Sequence, residues 1–70
     1  MNNYIVNNND DSNPHYNHEV HTQEHANQLR IASQCALGCF NNEIDAVNAA
    51  KTIYSDADGC ATCCPRAHRG

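Results

Sequence analysis

The sequence predicts a small α+β domain, in which a short antiparallel sheet of two or three strands packs on one C-terminal helix. Short runs of aromatic and β-branched residues in the first half predict the strands, and an amphipathic run in the second half predicts the helix. Length is the third observation, because a chain of 70 residues buries little apolar surface and needs an additional cross-link. Residues 1–70 are therefore expected to form one domain, with a polar loop at 7–17 and a short C-terminal tail from residue 65.

Two predicted strands lie near the N-terminus. Residues 2–6 are aromatic and β-branched at their centre, which favours a strand. Residues 19–21 resume an extended pattern, and antiparallel pairing of the two segments is the simplest use of the polar loop between them. Residues 22–31 have apolar residues near helical spacing but no strong stop signal, so they fit either one or two helical turns or an irregular loop.

A further strand and the helix are predicted in the second half. Cys35, Leu37 and Cys39 would share one face of an extended chain. Asn41 or Asn42 then supplies a helix N-cap, acidic residues follow in the first turn, and the helix is expected to end at a turn over residues 55–59. The predicted apolar stripe consists of Ala46, Val47, Ala50, Ile53 and Tyr54.

Cysteines and histidines predict how the domain is cross-linked. Cys60 and Cys63 form a Cys-x-x-Cys turn after an Asp-Gly pair, and such a turn places two sulfurs on one ion. His21 and His25 lie four residues apart, so on a helical turn they face the same side and supply a second pair of donors. Thiolate and imidazole are the ligands that tetrahedral zinc prefers. We therefore expect Zn²⁺ bound by His21, His25, Cys60 and Cys63, as a staple of the fold.

Other donors leave alternatives open. Cys64 or His68 could replace one of the two proposed histidines, and Cys64 could instead be a buried free thiol. His15 and His18 are expected to be solvent-exposed in the polar loop. A disulfide framework is the alternative to a metal site, but five cysteines, an odd number, accompanied by five histidines favour metal.

The order of these motifs resembles known zinc-binding proteins. The spacing His21-x3-His25, then Phe40 before a helix that begins near Asp45, then Gly59-Cys60-x2-Cys63, is similar to the metal-binding domain of Ada-type DNA alkyl-repair proteins. A group of uncharacterised small bacterial proteins shows similar motifs, which correspond here to Glu19-Val20-His21, Leu37-Gly38-Cys39-Phe40 and Gly59-Cys60-Ala61-Thr62-Cys63. The resemblance implies a small sheet with one packed helix and a four-ligand zinc site.

The chain departs from these relatives at two places. They usually have cysteine at the position of His25, and a Cys-His pair where this chain has Ala67-His68. Zinc accepts imidazole in place of thiolate, so the site is retained. Ada-type repair uses a ligand thiolate as methyl acceptor on DNA, and it would need a basic DNA-binding surface that this chain lacks. The repair activity is therefore not carried over.

Charge and the N-terminal sequence limit the classes of function. The net charge is −4, and phosphate contacts need clustered Lys and Arg, so direct binding of nucleic acid is disfavoured. The N-terminus carries neither a secretory signal nor a membrane span, which predicts a cytoplasmic protein. We expect a non-catalytic, zinc-stabilised minidomain that acts as a protein-interaction module, with another protein as its partner.

Three other functions remain open from the sequence. A small metalloenzyme would have three protein ligands and a water, with Glu19 or Glu24 as general base, although a chain of this size has little room for a substrate pocket. A precursor peptide would carry a modified Cys-rich tail from Cys60. A phage or plasmid inhibitor would mimic nucleic acid with its acidic surface.

Overall fold

The computed structural model describes residues 2–8 and 18–68, and these form a four-stranded mixed sheet with two α-helices. The α+β class is confirmed. The sheet has four strands rather than two or three, and the chain continues past the second helix into a strand and a 3₁₀ turn, so that helix is not C-terminal. Within the described residues, no helix is long and apolar enough to cross a bilayer. The elements are β1 (Asn2–Asn7), β2 (Glu19–Thr22), α1 (Gln23–Gln28), β3 (Gln34–Phe40), α2 (Glu43–Ala50), β4 (Asp58–Gly59) and the 3₁₀ turn Pro65–Ala67.

The strand order is β3-β1-β2-β4. β1 pairs antiparallel with β2, as predicted, and also with β3. β4 pairs parallel with β2, so the sheet is mixed rather than antiparallel. Asp58 and Gly59 have low strand propensity, and only the ladder hydrogen bonds to β2 make this segment a strand. The Asp58 N–H donates to the His18 carbonyl at 3.0 Å, and the Cys60 N–H donates to the Val20 carbonyl at 2.9 Å.

One face of the sheet packs on α2 and forms the hydrophobic core. Of the two predicted caps, Asn42 is the one that caps α2, since its Oδ1 accepts a hydrogen bond from the Asp45 N–H at 2.9 Å. The helix ends at Ala50, earlier than predicted, and Ile53 lies beyond it with 51% of its surface exposed. Ile53 is therefore not part of the buried stripe. The core consists of Tyr4, Val6, Val20, Ala46, Val47, Ala50, Ala57, Cys64 and Ala67.

The opposite face of the sheet is covered by α1. Ile5 lies directly across from His21 in the β1–β2 ladder, and because side chains alternate along a strand, both point away from α2. Both are buried, as is Ala26 of α1, and none of the three belongs to the α2 core. The two histidine donors, His21 and His25, lie in this second layer, whereas Cys63 packs against the α2 core.

Helix α1 resolves the ambiguity of residues 22–31, and it has a cap at each end. At its start, Thr22 Oγ1 accepts a hydrogen bond from the His25 N–H at 3.2 Å. At its end, Arg30 adopts a left-handed φ of 56°, and its N–H donates to the Asn27 carbonyl while the Ile31 N–H donates to the Ala26 carbonyl, both at 3.2 Å. This is a Schellman motif with arginine where glycine is usual, which explains why the sequence showed no stop signal.

A β-bulge changes the faces of β3. Leu37 is an extra residue relative to β1, next to Gly38 at a φ of 97°. After the bulge, Phe40 packs against the core, while Cys39 is exposed. The prediction that Cys39 shares a face with Cys35 and Leu37 is therefore wrong, because alternation assumes a regular strand.

We expect Arg30→Gly to raise the free energy of unfolding by about 1 kcal/mol, because glycine adopts this left-handed conformation without the Cβ clash that arginine has. Urea unfolding of dilute protein measures the change. Arg30→Ala is the matched control, since it removes the same charge but keeps the Cβ. An equal gain in both variants would assign the effect to charge and contradict the backbone argument.

Candidate metal centre

The four predicted donors come together at one end of the sheet. His21 lies on β2, His25 lies in the first turn of α1, and Cys60 and Cys63 follow β4. One donor atom from each side chain lies within 4.8 Å of the other three. Among residues 2–8 and 18–68, this is the one group of three or more such side chains close enough to hold a metal ion.

The parallel β2–β4 pair brings the two halves of the site together. Val20 lies across from Gly59, so the residues that follow them, His21 and Cys60, stand side by side at the same end of the sheet. The parallel pairing thus places a nitrogen donor, from His21, beside a sulfur donor, from Cys60.

Two tight turns supply the remaining donors. The Thr22 cap starts α1 directly after β2, which places His25 one helical turn beyond His21. On the other side, the Cys64 N–H donates to the Cys60 carbonyl at 2.8 Å, and the closed turn returns Cys63 towards Cys60. Each donor pair is therefore local in sequence, and only the sheet joins the pairs.

The distances between donors fit tetrahedral coordination. Cys60 Sγ lies 3.8 Å from His25 Nδ1, and Cys63 Sγ lies 3.7 Å from His21 Nδ1. Around a tetrahedral zinc ion with ordinary bond lengths, sulfur and nitrogen ligands are separated by about 3.6 Å. The side chains therefore stand close to the spacing that one ion requires, with both imidazoles presenting Nδ1.

The electrostatics of His21 suit a metal ligand. Burial, and to a smaller extent the neighbouring His25 ring, lowers the pKa of His21 from 6.5 to about 4. The ring is therefore neutral at neutral pH, as an imidazole ligand must be. Its other nitrogen, Nε2, lies 3.7 Å from Glu19 Oε1, and a carboxylate on that side of the ring is common around metal-binding histidines. Glu19 thus faces the ligand that it would orient.

The Cys63 sulfur is held by its neighbours. Burial raises the pKa of the Cys63 thiol, while a hydrogen bond from the Thr22 backbone N–H lowers it. A bound divalent cation deprotonates a coordinating thiol outright, and this N–H then stabilises the thiolate. Cys64 is fully buried with its Sγ 3.9 Å from Cys63 Sγ, and burial raises the pKa of the Cys64 thiol. Cys64 is therefore placed to donate to the Cys63 sulfur, and it lies outside the group of four donors.

His68 also lies outside the donor group. Its Nδ1 donates a hydrogen bond to the Gly59 carbonyl at 2.9 Å and lies 3.6 Å from Asp58 Oδ2. This contact holds the 3₁₀ turn against β4, and Ala67 in that turn is buried. The predicted C-terminal tail from residue 65 is therefore packed, at least as far as residue 68.

The prediction that His18 is solvent-exposed is wrong. Its side chain is 15% exposed, and its Nδ1 lies 2.7 Å from Asp56 Oδ1. The ring also stacks on Tyr54, with centroids 3.8 Å apart and planes inclined by 3°. These partners lie some forty residues along the chain, and no local pattern indicated them. His15 and most of the predicted polar loop lie outside the described residues.

Sequence reasoning missed the residues that support the donors. Thr22 has two roles. Its side chain caps α1, and its backbone N–H donates a hydrogen bond to the Cys63 sulfur. A threonine three residues before His25 was a usable signal for the cap, but the contact with Cys63 depends on tertiary structure. None of the five cysteines forms a disulfide.

Comparison with known proteins assigns no family: no family model, curated protein or solved structure matches this chain. The resemblance to the Ada-type domain and to small bacterial zinc proteins stays a prediction. The function is therefore argued from the geometry of the site.

Gly59→Ala is expected to destabilise the fold by about 1 to 3 kcal/mol and to weaken metal binding. A Cβ at this position would lie 2.7 Å from the Cys64 carbonyl oxygen and 2.9 Å from Ala67 Cβ, so the turn that carries Cys60 and Cys63 would have to move. Thermal unfolding and competition with a metal-binding dye measure the two effects. Thr62→Ala, at an exposed position in the same turn, is the control and should change neither.

Proposed function

We propose that this protein is a non-catalytic, zinc-stabilised minidomain that acts as a protein-interaction module. The observation that carries the proposal is the meeting of two imidazole and two thiol donors within 4.8 Å. Mixed nitrogen and sulfur sets suit zinc, whereas oxygen-rich sets suit magnesium, calcium or manganese. Four protein ligands are typical of structural zinc sites.

The second layer of the fold explains why a metal would be needed. Among the described residues, the apolar side chains buried outside the α2 core are Ile5, Ala26 and Cys60. Their burial contributes too little to hold α1 against the sheet, whereas the turn after β4 reaches the α2 core through Cys64. A structural zinc ion contributes roughly 10 to 16 kcal/mol of apparent binding free energy to small zinc-binding peptides. One ion between His25 and Cys60 would therefore cross-link α1, which the α2 core does not reach, to the turn after β4.

The donor set also supports the non-catalytic part of the proposal. Catalytic zinc sites usually have three protein ligands and keep the fourth position for water or substrate. Here two histidines and two cysteines lie close enough together that they would fill all four positions of a tetrahedral ion. Glu19 stands beside Nε2 of His21, on the side of the ring away from the donor atom, where it would orient the ligand rather than activate a bound water.

In this proposal, the exposed surface of the domain binds the partner protein. Glu24, Asp45 and Asp56 are exposed, and the net charge of −4 disfavours binding to phosphate backbones. Ile44 and Ile53 are about half exposed near the two ends of α2, and with Asp45 they give this side of the domain both apolar and acidic exposed groups. Such a mixed surface favours another protein as partner. Free thiols also favour a reducing compartment, and we place the protein in the cytoplasm on that basis.

Removal of the metal is expected to unfold the protein. A strong chelator should abolish the thermal transition followed by circular dichroism, and added zinc should restore it. Elemental analysis should find one zinc per chain in the wild type and in Cys39→Ser, an exposed cysteine outside the site, but none in Cys60→Ser or Cys63→Ser. A thermal transition that persists in the chelator would contradict the structural role.

Cobalt substitution distinguishes the closed site from a catalytic one. The wild type should show the visible absorption of tetrahedral cobalt together with charge-transfer absorption from two thiolates, and His25→Ala should admit a water ligand. Magnetic resonance of the cobalt-loaded wild type should detect no exchangeable water on the metal. Detection of such a water would favour the small metalloenzyme instead.

A further inference from the structure

We infer that a notch beside α2 binds a short acidic segment of a partner protein, with one aliphatic side chain of that segment inside the notch. The inference rests on the proposed function, because it names the class of partner for a protein-interaction module. The notch lies between α2 and the 3₁₀ turn Pro65–Ala67, and none of its lining residues is a metal donor. It is lined by Ile44, Val47, Asn48, Lys51, Arg66 and Ala67.

The apolar part of the notch suits one side chain of a partner. Val47 and Ala67 are buried, whereas Ile44 is 48% exposed and would lose contact with water when a partner covers it. The volume of the notch is about 70 Å³, well below the roughly 300 Å³ at which small-molecule pockets begin. A single aliphatic side chain, held against Ile44, is therefore the occupant that fits.

The charges around the notch select an acidic partner. Among residues 2–8 and 18–68 there are three Lys and Arg residues, and two of them, Lys51 and Arg66, line this notch without any acidic lining residue. Lys51 makes no ion pair with any residue that the structure describes. Arg66 is 79% exposed, and its Nε lies 3.9 Å from Glu43 Oε1, so both of its Nη groups are left for a carboxylate of the partner.

The positions of the two cations set the spacing of the partner's carboxylates. Arg66 lies beside Glu43 at the start of α2, whereas Lys51 follows the last residue of the helix. A helix rises about 1.5 Å per residue, so these two levels are about 12 Å apart. An extended peptide advances about 3.3 Å per residue. Two carboxylates three or four residues apart would therefore reach both cations, with the aliphatic side chain between them.

The net charge of −4 does not oppose this local contact. At physiological ionic strength the Debye length is about 8 Å, so acidic groups on the far side of the domain are largely screened. The exposed Asp45 lies on the same helix, but successive helical residues are about 100° apart around the axis. It therefore lies to the side of the stripe formed by Ile44, Asn48 and Lys51.

The test uses the zinc-loaded full chain and a synthetic, end-blocked peptide with the core aspartate-alanine-leucine-alanine-aspartate. Nuclear magnetic resonance should show saturable binding, with the largest shifts at the residues that line the notch, and the affinity should fall as salt is added. A peptide with asparagine in place of both aspartates should bind about tenfold more weakly, because it loses two ion pairs. A peptide with serine in place of leucine should also bind more weakly.

Two pairs of variants locate the contact. Lys51→Glu should weaken binding by about fivefold or more, whereas Arg30→Glu makes the same change in net charge outside the notch and should have little effect. Ile44→Ser should weaken binding through its loss of apolar contact. Ile53→Ser is its matched control, since Ile53 is equally exposed but does not line the notch.

No saturable binding at millimolar peptide, equal losses in Lys51→Glu and Arg30→Glu, or equal affinities for the aspartate and asparagine peptides would each overturn the inference. Sedimentation without peptide tests a second copy as occupant, and a dimer that Ile44→Ser alone disrupts would also overturn it. Zinc content is measured on the same samples. A folded, zinc-loaded domain that binds no peptide rejects this inference alone, and a folded, zinc-free domain that binds the peptide rejects the zinc part of the proposed function alone.

Discussion

The metal centre depends on the parallel pairing of β2 with β4, which is only two residues long. It sets His21 beside Cys60, and the local turns after each strand then add His25 and Cys63. Two ladder hydrogen bonds contribute net free energies of about 1 kcal/mol each, which is too little to hold an isolated two-residue strand. In the proposed zinc form, the ion lies across this pairing and holds it, while the pairing keeps the four donors at the spacing that an ion needs. The strand and the site therefore stabilise each other, and the loss of either should remove both.

The sheet has two faces that are stabilised in different ways. One face packs on α2 through a conventional apolar core, and the other is covered by the short helix α1 over a few buried side chains. The two histidine donors lie on this second face, where apolar burial is smallest, and Cys63 packs against the α2 core. A chain of 70 residues thus gains a second layer without a second hydrophobic core. In the proposed zinc form the four ligands would close the site, so the proposed contacts with a partner would use the surface.

The residues around the four donors fix the orientation of the donors, which the four ligands alone do not. Glu19 faces the ring of His21, the Thr22 amide donates to the sulfur of Cys63, and Cys64 supplies a buried thiol beside that sulfur. These contacts orient the donors and favour the thiolate form of Cys63. Gly59 is part of the same arrangement, since the turn that carries the cysteines packs directly against it.

The sequence by itself determined what depends on neighbours along the chain. The Cys-x-x-Cys and His-x3-His spacings identified the donors that the structure brings together, the Asn41-Asn42 pair identified the start of α2, and the aromatic and β-branched residues at 4–6 identified β1. The reason is that two donors on one turn, or a cap and its helix, are linked by a few bonds whose geometry varies little. Only the tertiary structure decided what depends on distant pairing. β4 is a strand because β2 lies beside it, His18 is partly buried because Asp56 and Tyr54 contact it, and the bulge in β3 exposes Cys39 through its register with β1. In each case the residues involved have no intrinsic preference for that arrangement, and the free energy that selects it comes from contacts between segments far apart in the sequence.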